Sequence, residues 1–97
     1  MRSELRHQLK KRAHALKPVV STGYQGLTPA LLNEIDLALN HHRLIKVRLN
    51  AADRHQRRQL AEAICQETAA ELIQAVGHVI TLYREPPDAG SAGIGRP

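Results

Sequence analysis

The chain has 97 residues, of which 42% are hydrophobic and only 2% aromatic, and its formal net charge is +5. This length suits one small domain with an aliphatic core, and the scarcity of aromatic rings argues against an RNA-recognition motif, which stacks bases on them. A single cysteine, Cys65, excludes an intrachain disulfide and a zinc site built on several thiolates. No apolar run approaches the roughly 20 residues of a membrane span, and the basic N-terminus lacks the apolar stretch of a secretory signal. We therefore expect a soluble cytoplasmic protein with no membrane partner.

The positive charge is concentrated in two segments of the chain. Residues 1–17 carry six Lys and Arg against one Glu, and residues 41–58 carry six against one Asp. Acidic segments separate and follow them. If the fold brings the two basic segments together, they form one face for an anionic partner, nucleic acid above all. Otherwise they are two ordinary solvated faces.

The first predicted element is a helix over residues 3–16, capped by Ser3 and ended by Pro18, since the residue before a proline avoids helical geometry. Its apolar stripe, at helical spacing, consists of Leu5, Leu9, Ala13 and Leu16. A short strand over residues 19–22 and a glycine loop over residues 23–26 follow. These patterns predict the order helix, strand, loop for the N-terminal part of the chain.

The second predicted helix starts with Thr28 at the N-cap and Pro29 in the first turn, and it ends near Asn40. Residues 44–49 alternate in a way that is typical of a half-exposed strand. One of its sides carries Leu44, Lys46 and Arg48, and the other carries Ile45, Val47 and Leu49. This strand therefore presents a basic edge or face.

The third predicted helix runs from Asp53, which forms a capping-box pattern with Gln56, to residue 68. Strands over residues 71–76 and 79–84 then flank Gly77-His78, a pair that suits a type II′ hairpin turn. Strands separated by helices pair in parallel, whereas a hairpin is antiparallel. The order α-β-α-β-α-β-β therefore predicts an α/β (α+β two-layer) fold with a four-stranded mixed sheet.

The composition changes at Glu85, because the last residues are rich in proline and glycine and poor in large apolar side chains. Such a segment buries too little surface to offset its ordering entropy. We therefore expect a single domain over residues 1–84 and a flexible tail over residues 85–97.

The segment most informative about function is residues 19–29, where a strand runs through Gly-x-x-Gly into a capped helix. The glycines allow a tight turn and a close approach of a ligand, and the free amides and dipole of the helix start favour an anion. This pattern indicates a phosphate site, and the competing interpretation is a tight turn that merely needs glycine. Tyr24 either stacks on a base or sugar or folds back over Leu27. The loop lacks the residues of a P-loop or a dinucleotide fingerprint.

Other chemistry finds little support in the sequence. The six histidines do not converge at ligand spacing, so we expect no metal site. Cys65 lies in an apolar stretch and is expected to be a buried, unreactive thiol. No nucleophile has an identifiable base, so we expect no catalytic residue, no cofactor and no small-molecule substrate.

Several separated segments, in the same order, resemble the bacterial YhbY family of stand-alone CRM domains (chloroplast RNA splicing and ribosome maturation). The resemblance covers about residues 4–84. The segments are residues 16–20 (LKPVV), 23–28 (GYQGLT), 42–48 (HRLIKVR), 53–54 (DR) and 77–84 (GHVITLYR).

The resemblance implies a two-layer α/β fold similar to the C-terminal domain of bacterial translation initiation factor three. It also implies a non-enzymatic RNA-binding factor that associates with rRNA in precursors of the large ribosomal subunit. Gly23 and Gly26 would form the RNA-contacting loop, comparable to the KH-domain loop that clamps nucleotide backbones. Neither Tyr24 nor Gln25 is basic, so the loop would bind through amides and stacking.

We therefore predict a monomer that grips rRNA with the glycine loop and a surrounding positive field. The predicted RNA-binding residues are Gly23, Tyr24, Gln25, Gly26, Lys10, Lys11, Lys17, Lys46 and Arg48. The alternative is a basic interaction module that docks an acidic ribosome-associated or RNA-processing protein. A DNA-binding protein ranks lower, because the helix over residues 28–40 carries no Lys or Arg to read a groove.

Overall fold

The computed structural model describes residues 2–23 and 26–85. The elements in chain order are α1 (Ser3–Ala13), β1 (Pro18–Ser21), α2 (Pro29–His42), β2 (Leu44–Arg48), α3 (Arg54–Thr68), β3 (Glu71–Val76) and β4 (Val79–Tyr83). The four strands form one sheet in the order β1-β2-β4-β3, with β1 parallel to β2 and the other pairs antiparallel. The predicted α+β fold with a mixed sheet is confirmed. The predicted flexible tail, beyond Glu85, lies outside the described residues.

Helices α2 and α3 pack together on one face of the sheet and enclose the main core. Apolar residues recur every fourth position along α2 and every second position along β2, so each element turns one apolar side inward. Burial of these aliphatic side chains is the main source of stability. The core consists of Val20, Leu31, Ile35, Leu39, Ile45, Val47, Leu49, Ala61, Ile64, Ala70, Ile80 and Leu82.

Helix α1 lies on the opposite face of the sheet, where it covers a smaller cluster formed by Leu9, Ala13, Leu44 and Ile73. The two expected layers, the sheet and the α2–α3 pair, are therefore joined by a partial third layer. The half-exposed strand predicted for β2 needs a correction. Its first residue, Leu44, is only 4% exposed because α1 covers it, and the exposed half begins further along the strand.

The predicted starts of α2 and α3 are confirmed. Thr28 Oγ1 accepts from the Leu31 N–H at 3.1 Å, and Asp53 Oδ1 accepts from the Gln56 N–H at 2.8 Å. These bonds satisfy amides that a helix start otherwise leaves without partners. The turn between β3 and β4 has Gly77 at φ +59°, as the first central residue of a type II′ turn requires.

The predicted start of α1 at residue 3 is confirmed, but the predicted cap, Ser3, and the predicted end at residue 16 are wrong. Its N-cap is Arg2, whose carbonyl accepts from the Arg6 N–H at 3.0 Å, and Ser3 is already helical and caps nothing. At the other end the helix stops at Ala13, so Pro18 is not what ends it. Three successive N–H groups bond to the third residue back rather than the fourth, which tightens the chain into a turn. None of the helices in the described part of the chain is long and apolar enough to cross a membrane.

Candidate functional site

Three connections of the chain meet at one end of the sheet. Strands β1, β2 and β3 run in the same direction, because β4 is antiparallel to both β2 and β3. The segments that follow these strands therefore emerge together. We call this place the loop end of the sheet, and it comprises Gly23 and Gly26, residues 49–53 and the Gly77–His78 turn. The N-termini of α2 and α3 start from it.

Hydrogen bonds hold these segments of the loop end together. The Thr22 N–H donates to the Arg48 carbonyl at 2.9 Å. The Asn50 N–H donates to Thr22 Oγ1 at 2.8 Å, and the Asn50 side-chain amide donates to the Thr22 carbonyl. The Leu49 N–H donates to the His78 carbonyl at 2.6 Å. The connections after β1, β2 and β3 are therefore hydrogen-bonded to one another. These bonds fix Thr22, which directly precedes Gly23, and so brace the glycine loop.

The two glycines approach each other across the loop. The Gly26 N–H donates to the Gly23 carbonyl at 3.2 Å, and Gly26 has φ +80°, in the region that favours glycine. Apart from the chain neighbours of each glycine, no described atom lies within 4 Å of a Cβ built on Gly23 or Gly26, so the described residues leave both backbones open to a ligand. Tyr24 and Gln25, also predicted to bind RNA, lie outside the described residues.

Among the described residues near the loop, two backbone amides already have acceptors. The Gly26 amide is used within the loop, the Leu31 amide is bonded to Thr28, and Pro29 has no N–H. Among the first three residues of α2, this leaves the Ala30 N–H without an acceptor in the described part of the chain. Of the α2 start, the Ala30 N–H is therefore the donor that an anion can use, and nearby cations supply the rest of its stabilisation.

A carboxylate limits the direction from which an anion can approach. Glu34 lines a small cleft with Gly23, Gly26 and the first turn of α2. An anion entering along this cleft meets a like charge, whereas one that approaches from the face bearing Arg48 meets a guanidinium. The favourable approach is therefore from the side of the sheet that α1 covers only in part.

That side of the sheet is open next to the loop end, because α1 covers only the half around Leu44, Ile73 and Tyr83. The uncovered half, which we call the open face, follows from the alternation of side chains along the strands. It consists of Ser21, Lys46, Arg48, Gln74, Val76 and Val79, and Lys46 and Gln74 flank Thr81, which is only 1% exposed. Arg48 is exposed, Lys46 is half-buried, Val76 is 66% exposed, and none of the six residues is acidic.

Lys10 borders the open face from α1. It follows Arg6 by four residues and so shares a flank of the helix with it. The Arg6 guanidinium donates to the carbonyls of Leu72 and Ile73 on β3, at 2.8 and 3.2 Å. The half-buried Lys10 therefore lies on the flank that is bound to the sheet.

The remaining predicted lysines lie apart from this group. Lys11 is two positions from both Leu9 and Ala13, the buried residues of α1, so it points to the solvent side. Lys17 is exposed before β1, at the end of that strand opposite the glycines. The structure thus places Arg48 beside Ser21, two residues before Gly23, and Lys46 on the same face but further from the glycines, beside Pro18. Lys10 borders this face, Lys11 lies elsewhere, and Lys17 lies next to Pro18 at the far end of β1.

Three arginines at the start of α3 were not among the predicted binding residues. Arg54, Arg57 and Arg58 line a cleft on the other face of the sheet. They belong to the second basic segment, but no motif marked them. A signal was nevertheless available, because α3 has no acidic residue in its first turn and cations near a helix N-terminus oppose the helix dipole. Stability alone does not favour that placement.

Cys65 is half-buried on α3. Burial, together with the nearby Glu71 carboxylate, raises the pKa of the thiol above its ordinary value. Because the thiolate is the reactive form, this environment suppresses nucleophilic chemistry. Within residues 2–23 and 26–85, no three His, Cys, Asp or Glu side chains lie close enough together to hold a metal ion.

Comparison with known proteins identifies the family. The model of the CRS1/YhbY (CRM) domain matches residues 1–84. An RNA-binding protein of Haemophilus influenzae is 48% identical over 81 residues, which cover 84% of this chain and 82% of the relative. A probable RNA-binding protein of Pseudomonas aeruginosa is 40% identical over 84 residues, covering 87% and 81%. The solution structure of a hypothetical Staphylococcus aureus protein, a candidate RNA-binding protein, matches with a TM-score of 0.78 and 29% identity, covering 88% of each chain. The chain therefore belongs to the CRS1/YhbY (CRM) domain family.

Proposed function

We propose that this protein binds RNA at the loop end of the sheet, with the RNA backbone lying on the open face and against the two glycines. One observation carries the proposal. The braced loop in which Gly23 and Gly26 expose their backbone adjoins a sheet face that bears Lys46 and Arg48 and no acidic residue. That combination supplies both close approach and positive charge to a phosphate.

The spacing of the two cations suits a polyanion. Lys46 and Arg48 lie two residues apart on one side of β2, which places their Cα atoms about 6.6 Å apart. Each of them can neutralise a different phosphate along a strand, and the release of counterions then drives binding. The net charge of +5 adds a general attraction for nucleic acid.

The relatives support RNA as the polyanion. The Haemophilus influenzae and Pseudomonas aeruginosa relatives are named as RNA-binding and probable RNA-binding proteins, and each is aligned over more than four fifths of this chain. We propose further that the RNA is rRNA in precursors of the large ribosomal subunit. In this role the protein acts in the cytoplasm as a monomeric, non-enzymatic assembly factor, in keeping with the family resemblance of residues 23–28 and 77–84.

A charge introduced at Gly23 tests the loop directly. The φ of Gly23 lies outside the left-handed region and a Cβ there has free space, so Gly23→Ala is a steric control that leaves the fold intact. Gly23→Asp adds a carboxylate at the same point, and we expect about tenfold weaker binding of an rRNA fragment, measured by fluorescence anisotropy. Gly26 is less suitable, because any side chain at φ +80° adds strain. Wild-type affinity in folded Gly23→Asp would remove the loop from the site.

Sedimentation of the tagged protein from gently lysed cells tests the assembly role. We expect the protein to migrate with a particle slightly lighter than the mature large subunit and to leave it after nuclease treatment. A complex with an acidic protein that survives nuclease would instead favour the interaction-module alternative. Gly23→Asp provides the matched control, since it is expected to leave the particle while Gly23→Ala stays.

A further inference from the structure

A second cleft lies on the other face of the sheet, between α3 and strands β3 and β4. Its volume is about 550 Å³, within the size range of small-ligand sites. Its apolar lining consists of Leu49, Ala61, Leu72, Ala75 and Ile80. Within this apolar floor, Leu72 and Ala75 expose apolar surface to the cleft, and beneath them lie Leu49, Ala61 and Ile80, which are at most 3% exposed and belong to the rigid core.

The rim of this cleft is strongly basic. Arg54, Arg57 and Arg58 line it, together with Glu62, and the Arg57 guanidinium is steadied by the Ala51 carbonyl at 3.4 Å. Over the described ranges, the one ion pair joins Arg84 and Asp36, so these arginines form no ion pair, and Glu62 is the one carboxylate that lines the cleft with them. A flat apolar floor below unpaired guanidinium groups suits a ligand with an apolar ring and an anionic group.

The cleft is continuous with the loop end of the sheet. Leu49 belongs to its floor, and the residues that follow, Asn50 to Ala52, line a neighbouring gap that reaches Gly26. The same segment is bonded to Thr22 and His78. A single RNA strand whose backbone is held at Gly26 can therefore continue along residues 50–52 into the cleft.

We propose that this cleft binds one unpaired nucleotide of the RNA, with the base on the apolar floor and its phosphate between Arg54 and Arg58. The inference rests on the proposed function and adds a site of its own, on the face of the sheet opposite the open face. RNA is favoured over an acidic peptide because the cleft adjoins the glycine loop and because a planar base matches the apolar floor. Specificity for unpaired RNA follows, since a base in a duplex cannot enter.

A double-mutant cycle, which combines a substitution in the protein with the removal of one base from the RNA, tests the proposal. The protein variants are Arg54→Gln with Arg58→Gln, and a control of equal charge loss, Arg12→Gln with Arg43→Gln, whose exposed side chains lie towards the opposite end of the sheet. The probe is a single-stranded rRNA fragment in which each nucleotide in turn is made abasic. With wild type, we expect one abasic position to weaken binding by about tenfold, the usual scale for a bound base.

The coupling between the two changes decides the outcome. In the Arg54/Arg58 variant, the same abasic change should cost less than about twofold, because the nucleotide is no longer held there, whereas the control variant should keep the full loss. The proposal would be overturned if the abasic change weakened RNA binding equally in both variants. It would also be overturned if no abasic position weakened RNA binding by the wild-type protein. Unchanged RNA binding combined with lost binding of a polyglutamate peptide would overturn it too, and would assign the cleft to an acidic protein segment.

This test is separate from that of the proposed function. If Gly23→Asp weakens RNA binding and the cleft variant shows no coupling, the RNA interface stands and the nucleotide cleft fails. If Gly23→Asp has no effect, the interface at the loop end fails first. The side chains of Arg54 and Arg58 are exposed and make no hydrogen bond within the described chain. Their replacement is therefore not expected to disturb folding.

Discussion

Asn50 binds Thr22 at two points, through its backbone N–H to Thr22 Oγ1 at 2.8 Å and through its side-chain amide to the Thr22 carbonyl. Thr22 is 1% exposed and directly precedes Gly23. The pair joins the ends of β1 and β2, 28 residues apart in the chain. It therefore positions the glycine loop relative to Arg48 and to the start of α3.

Removal of the Thr22 hydroxyl should destabilise the protein measurably. Thr22→Val keeps the shape of the side chain but leaves the Asn50 N–H without its acceptor, at a cost of about 1–2 kcal/mol. For a domain of this size, the melting temperature should fall by about 5–10 °C in calorimetry. The control is Thr81→Val, because Thr81 is equally buried but its hydroxyl makes no hydrogen bond within the described chain. Equal melting temperatures for the two variants would contradict the bracing role.

Glycine in place of Ala69 should stabilise the protein. Ala69 ends α3 in the left-handed conformation, with φ 59° and ψ 29°, a position where glycine carries no steric penalty. The gain should be about 0.5–1 kcal/mol after the greater freedom of glycine in the unfolded chain is counted. Urea unfolding of Ala69→Gly measures it, with Ala63→Gly inside α3 as a control that should be destabilised. A loss of stability in Ala69→Gly would show that the conformation of this residue is not strained.

Arg84 should not tolerate replacement by lysine. Its guanidinium donates to Asp36 Oδ1 at 2.6 Å, to Asn40 Oδ1 at 2.7 Å and to the Thr68 carbonyl at 2.8 Å, and its side chain is only 16% exposed. A lysine keeps the charge but cannot reach these acceptors in one planar arrangement. We expect a loss of about 2 kcal/mol in urea unfolding, against almost none for Arg12→Lys on the surface. Comparable values for the two variants would mean that charge alone matters at this position.

Cys65 should react with iodoacetamide only at higher pH than a cysteine in an unstructured peptide. Burial first, and then Glu71, raises the pKa of its thiol, so less thiolate is present at any given pH. Glu71→Gln should shift the pH profile of the reaction part of the way back. The raised pKa stabilises the fold below the pKa of the unfolded thiol, and this contribution is lost as the pH rises through the folded pKa. A profile at or below that of the peptide would refute this environment.

Local chemistry accounts for the parts of the fold that could be predicted from the sequence. The starts of α2 and α3 and the hairpin turn each depend on one or two residues with a strong conformational role, namely Thr28, Asp53 and Gly77. The end of α1 could not be predicted in this way, because the chain tightens into a turn over residues 14–16, which contain no glycine or proline to mark it. The position of α1 had one overlooked signal: Leu44 shares a side of β2 with Lys46, and an apolar residue there needs a cover.

In the candidate site, too, the features that depend on local sequence could be predicted, and those that depend on packing between distant elements could not. The basic side of β2 and the glycine turn were visible as patterns, and the structure places Arg48 near the glycines, with Lys46 further along the same face. One amide of the helix start is not free for an anion, because the capping Thr28 accepts from the Leu31 N–H. The arginine cleft was missed because it forms between α3 and β3, which no pattern in the sequence connects.

The salt dependence of RNA binding tests the central claim most directly. Binding of a single-stranded rRNA fragment should be measured over a range of salt concentrations for wild type, for Lys46→Gln with Arg48→Gln, and for the control Arg12→Gln with Arg43→Gln. We predict that the loss of two phosphate contacts on the open face lowers the slope of log K against log salt by about 1.4, while the control leaves it nearly unchanged. Identical slopes for the two double variants would show that the RNA does not lie on the open face.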